Sequence, residues 1–167
     1  MYAEVTAEEI ASRIAASHES VRRLCAYWSR KRRDQAMPRR ADIDPADMRA
    51  LLPMMMLVDV TPDERRFVYR LVGTAEVAIR GSNPTGKPVQ HSFFGDSVEE
   101  TLSCYEYVVR NRAPFCYRGA YAAPDGRIET DDTIYLPLSD DGANVNMILV
   151  FSHCYSFRRR TRPGSVT

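Results

Sequence analysis

The sequence predicts an α+β chain on three observations. Two stretches carry helical periodicity, two separate groups of segments alternate with period two, and aspartate–glycine turns join the later strands. With 167 residues the chain suits one domain, able to bury about two-thirds of the surface its unfolded form exposes.

The first element is a helix. Thr6 followed by Glu9 makes a capping box, and Ile10, Ile14, Val21, Leu24, Cys25 and Trp28 recur at helical spacing. The spacing predicts one helix to about Trp28, closing in "SRKRRDQ", whose cations suit a C-terminal dipole. That basic run lacks the aromatic interleaving of single-strand binders and reads as a solvated helix end.

The stretch "DIDPADMRALLPMMMLVDV" then changes character halfway. Asp42, Asp44 and Asp47 suggest a cation loop, but the glycine and closing glutamate of a calcium site are missing. Helix-entry chemistry explains them better, with Asp44 as N-cap, Pro45 in the first position and Asp47 in the first turn. Met48, Leu51 and Leu52 are expected to face inward, Pro53 to stop the turn, and "MMMLVDV" to form a buried first strand.

The segment "RRFVYRLVG" alternates, with Phe67, Tyr69 and Leu71 on one face and Val68, Arg70 and Val72 on the other. "TPDE" supplies the turn of a hairpin. "TAEVAIR" is a short helix ending at Gly81, and "GSNPTGKPV" is a loop. Residues 97–112 form a longer helix, with a second capping box at Ser97 and Glu100 and an apolar face of Val98, Leu102, Tyr105 and Val109. The last third, "PFCYRGAY", "RIETDDTIYLPL" and "VNMILVF", is a three-stranded meander turning at "APDG" and "SDDG". The tail "FRRRTRPGSVT" has lost its pattern and is expected to fray.

Several function classes lose support. A net charge of +1 provides no global field toward nucleic acid or lipid. The longest apolar run, 51–58, is too short for a bilayer, and the N-terminus lacks signal-peptide order, so the chain reads as cytoplasmic. Cys25, Cys104, Cys116 and Cys154 are spread too widely for a metal finger and read as reduced thiols. No nucleophile elbow, phosphate loop or dinucleotide fingerprint occurs. His18, His91 and His153 are far apart in sequence, and Asp131 and Asp132 read as a polar strand edge.

Three segments nevertheless carry a resemblance. Arg-x-x-Asp-Ile-Asp-Pro at 39–45, Tyr-Arg-Leu-Val-Gly-Thr at 69–74 and Leu-Pro-Leu-Ser-Asp-Asp-Gly at 136–142 resemble small bacterial single-domain PAS proteins. The resemblance implies a five-stranded antiparallel sheet with short helices and one longer helix on one face, preceded by a helical extension. The expected boundaries are 1–36 for the extension, 37–155 for the PAS-like domain and 156–167 for a basic flexible tail.

The same resemblance implies a cavity between the sheet and its helices. By alternation its candidate lining residues are Tyr69, Leu71, Val77, Tyr105, Val109, Phe115, Tyr117, Tyr121, Met147, Leu149 and Phe151. None of the four cysteines has the light-sensing flavin context, and the long helix offers Tyr105 and Tyr107 but no haem-ligating histidine. No cofactor and no metal are therefore expected. The function implied is a non-enzymatic sensory module that binds a small metabolite or a signalling protein. A homodimer through the N-terminal helix is expected. The alternatives are a scaffold with a filled core, an enzyme using Asp131 or His91 as base, and nucleic-acid binding by Arg158, Arg159, Arg160 and Arg162.

Overall fold

The computed structural model describes residues 5–95, 97–122 and 126–155. The expected tail at 156–167 and residues 123–125 of the "APDG" turn lie outside the described residues.

The N-terminal segment forms two helices where one was expected, α1 (Ala7–Ala16) and α2 (Glu19–Lys31). The Thr6–Glu9 capping box opens α1 as the sequence predicts. The break has a local and a tertiary cause. Ser17 turns extended and its hydroxyl returns to the Ile14 carbonyl, while His18 Nδ1 accepts from Ser20 N–H as the cap of α2. The His18 N–H itself donates to Asp132 Oδ2 at 2.8 Å, so a strand carboxylate holds the break in place.

Three 3-10 turns follow, Arg40–Asp42, Pro45–Met48 and Leu52–Met54. Each acid has a structural partner. Asp42 accepts from Arg39 N–H, Asp44 from Ala46 N–H, and Asp47 from Tyr27 OH with Lys31 at 3.4 Å. Met48 is buried, whereas Leu52 turns outward, against expectation, because the second proline starts a separate turn.

Five strands, β1 (Met55–Val60), β2 (Phe67–Val72), β3 (Phe115–Ala122), β4 (Ile128–Leu138) and β5 (Met147–Tyr155), form one antiparallel sheet. Its order is β2-β1-β5-β4-β3. Asp131 and Asp132 therefore lie in an interior strand, not at an edge. Between β2 and β3 come α3 (Thr74–Arg80), α4 (Val89–Ser92) and α5 (Val98–Asn111). Gly81 closes α3 at φ 72°, the left-handed backbone that glycine adopts without strain.

Register assigns the two faces. Met56, Val58, Val150, Ser152, Thr133 and Tyr135 are cross-strand partners on the inner face, under α3 and α5. Leu57, Leu149, Leu136, Phe151 and Ile134 belong to the outer face. There α1 lies on β3 while α2 lies on β4 and β5. Trp28 fixes α2 by donating its indole N–H to the Pro137 carbonyl at 2.8 Å. The stripe Ile10, Val21, Leu24 and Trp28 is thus buried within one chain, and it supplies no reason for a second copy.

Candidate functional site

Between the inner face and α3 and α5 lies a cavity of about 70 Å³. Its walls mix aromatic rings with buried polar groups. From α3 come Glu76 and Arg80, whose side chains are 6 % and 8 % exposed and pair at 3.1 Å. Their i, i+4 spacing places both on one helix face. Arg80 Nη1 also donates to Tyr69 OH at 3.3 Å and to the Ser92 carbonyl at 3.4 Å, and its Nη2 meets Met56 Sδ at 3.3 Å. The guanidinium lies 5.2 Å from the Tyr69 ring centroid and 5.3 Å from that of Phe94. Burial raises the Glu76 carboxyl above its ordinary range, with Arg80 opposing the shift.

The opposite wall belongs to β3, β4 and β5. Thr133 donates its single hydroxyl hydrogen to Asp131 Oδ2 at 2.8 Å. The Thr133 and Ser152 hydroxyls are also hydrogen-bonded to each other at 2.7 Å. Gly119 opposite Asp131 makes room, since a Cβ there would stand 2.7 Å from the Tyr117 ring and 3.1 Å from Asp131 Oδ1. Burial raises the Asp131 carboxyl as well, with the Thr133 hydroxyl opposing. Cys104 and Cys154 line the cavity as inert thiols, pushed by burial to about 12 and about 11.

The eleven expected lining residues divide by face and depth. Tyr69, Tyr105, Tyr117 and Tyr121 line the cavity. Phe115 is on the inner face but fully buried, packed against Tyr107 and Tyr135. Val109 packs against the core on α5, and Val77 is half-buried on α3; neither is among the lining residues. Leu71 is 50 % exposed because β2 bulges: Leu57 pairs with Leu71 but Val58 with Tyr69, leaving Arg70 extra and reversing the alternation. Met147, Leu149 and Phe151 point to the outer face, so β5 presents Ser152 and Cys154 to the cavity instead.

Sequence reasoning missed Glu76, Arg80, Thr133 and Ser152. The Glu-x-x-x-Arg spacing in "TAEVAIR" was the available signal for the first two.

A second polar cluster sits on the outer face. Asp132 accepts from Arg118 Nε at 2.6 Å and Nη2 at 2.9 Å, from Tyr155 OH at 2.8 Å and from His18 N–H. Burial opposes the charge, but these donors hold the Asp132 carboxyl below its ordinary range. His18 and His153, remote in sequence, stack with ring centroids 3.4 Å apart. His91 lies on α4, apart from that pair. Among the described residues no group of histidines, cysteines and acids has a metal-holding arrangement. No helix among them is long and apolar enough to cross a membrane.

The sheet order β2-β1-β5-β4-β3, with a helical layer enclosing a cavity on one face and α1 and α2 on the other, defines the architecture. The chain belongs to the PAS-domain family, whose model matches residues 16–150. No curated protein matches it in sequence. Solved structures share the fold. A light-oxygen-voltage domain studied with a flavin analogue is 12 % identical with a TM-score of 0.52, covering 66 % of this chain and 83 % of that one. VqmA bound to DPO is 12 % identical with a TM-score of 0.53, covering 66 % of this chain and 57 % of that one. The Vibrio cholerae VqmA dimer is 12 % identical with a TM-score of 0.53, covering 66 % of this chain and 51 % of that one. The chain thus spans little more than half of VqmA, and at such identities the likeness is one of fold alone.

Proposed function

We propose that this chain is a non-enzymatic sensory module that reads a small molecule in its inner cavity and reports it through α1 and α2. One observation carries the reading: β4 serves both faces. Its inner side contributes Asp131, Thr133 and Tyr135 to the cavity. Its outer side holds His18 through Asp132 and Trp28 through the Pro137 carbonyl. A ligand that displaces β4 by a fraction of an ångström must strain both docking points, since packed cores transmit small shifts. VqmA, solved bound to DPO, shares this fold.

The cavity's size and residues support a module without resident flavin or haem. Sites for drug-sized ligands run to about 300 Å³ and more, and α5 provides no histidine. The thiols are protonated and Asp131 is already hydrogen-bonded, which supports binding over catalysis. A thermal-shift screen tests the proposal. Compounds that stabilise the wild type should lose their effect in Ser152→Leu, which fills the cavity from the sheet side; equal stabilisation of both would overturn it.

The same small volume favours a second reading, an interaction scaffold with an almost filled core. Native mass spectrometry that finds no co-purifying mass, with a silent screen, selects the scaffold. The homodimer expected through the N-terminal helix now needs another surface, because that stripe is spent on the chain's own sheet. Light scattering that returns the monomer mass at micromolar concentration removes the dimer. The protein is expected to work in the cytoplasm.

A further inference from the structure

We propose that the cavity is built for a small alkylammonium cation, held by Asp131 and the surrounding aromatic faces. The inference rests on the cavity reading above and adds the chemical class of the ligand.

Two independent observations support it. The first is charge. Among the described lining residues, Glu76, Glu100 and Asp131 are acids and Arg80 is the one cation. Arg80 is committed: its Nε meets Glu76, and its Nη atoms meet Tyr69, Ser92 and Met56. It balances Glu76 and has little left to offer an anion. Asp131, by contrast, accepts from the neutral Thr133 hydroxyl, and no arginine or lysine among the described residues bridges to it. Asp131 is half-buried, and a partly desolvated carboxylate without a counter-charge is costly, a cost that an incoming cation reduces.

The second observation is the rings. Tyr69, Tyr105, Tyr117, Tyr121, Tyr135 and Phe94 surround the space. Aromatic faces attract cations, and this set already holds one, because Arg80 lies against Tyr69 and Phe94. A neutral ligand would leave the charge of Asp131 unmatched, and an anion would add to it. Volume sets the size. A cavity of about 150 Å³ holds benzene, so 70 Å³ admits an ammonium group with one or two carbons.

The test is a titration of the full chain with three probes of matched size, ethylammonium, ethanol and acetate, at constant ionic strength. The amide resonance of Gly119, beside Asp131, is the readout. Ethylammonium should shift it saturably and bind about tenfold tighter than ethanol, with no response to acetate. In Asp131→Asn the preference for ethylammonium over ethanol should fall to about parity. If ethanol or acetate binds as tightly as ethylammonium in the wild type, the cation class is wrong while the cavity reading stands. Silence to all three overturns both. The wild-type series decides even if the variant fails to fold.

Discussion

Neighbouring residues in one strand can carry opposite electrostatic consequences, and Asp131 and Asp132 do. Asp132 is buried with four donors, so its folded carboxyl titrates below the ordinary 3.8. A lowered acid stabilises the fold above its unfolded value, and that contribution is lost as pH falls through the folded one. Asp132→Ala should cost about 2–3 kcal/mol in denaturant unfolding at neutral pH and should flatten the acid limb below about pH 4. Asp131 has the reverse sign, since its folded carboxyl is raised by burial. Its ionisation costs stability as pH rises through that raised value. Asp131→Asn should therefore gain about 0.5–1 kcal/mol at neutral pH while losing ligand response, a trade expected where a site is kept for binding. A loss of stability equal to that of Asp132→Ala would contradict this account. Successive residues of a strand point to opposite faces, so Asp131 and Asp132 must part. Only the register shows which of them faces the cavity, because both faces of the sheet are covered.

At the scale of elements, the N-terminal helices and the sheet meet at His18, His153 and Trp28. Burial lowers the His153 ring below the ordinary 6.5, the neighbouring His18 adds to the shift, and Asp132 opposes it. Tyr155 meets both rings edge-on, and Arg118 lies over the Tyr155 ring. A lowered histidine stabilises the fold above its unfolded value, and the contribution fades as pH falls below about 6.5. Acidification from pH 7 to 5 should shift Trp28 fluorescence before global unfolding, and His153→Gln should abolish that shift. An unchanged shift in the variant would assign the transition to another group. Gly73 tests a different junction: its φ of −63° is ordinary, but a Cβ would stand 2.3 Å from the Pro53 carbonyl oxygen and 2.5 Å from that of Leu52. Gly73→Ala should cost about 1–3 kcal/mol and lower Tm by roughly 3–10 °C, read by calorimetry.

These elements also show what periodicity reveals. Capping boxes, turn glycines and alternating runs located every strand and the longer helix α5, because each is a local signal, but they merged α1 with α2 and gave no sign of the one-turn α4. The side of β5 that meets the cavity was not legible. Met147–Ser152 is buried throughout, since α2 covers the outer face, and a strand covered on both sides has no alternation to read. The bulge at Arg70 and the break at His18 are likewise set by partners distant in sequence.

As a whole molecule, the chain is a sheet between two helical layers, one enclosing a cavity and one packed flat. Element order was enough to suggest the family, and residues 16–150 match it. The candidate site was legible only in its tyrosines. Glu76, Arg80 and Ser152 become a site when α3 folds over β5, and no spacing along the chain records that approach. The functional claim is that events in the cavity are felt at α2, across the sheet. Ser152→Leu tests it most directly, because Ser152 faces the cavity and Trp28 lies on the other side. The account predicts a displaced indole N–H resonance for Trp28, the single tryptophan, together with faster amide exchange along α2. An indole resonance and α2 protection identical to wild type, in a folded variant, would contradict it.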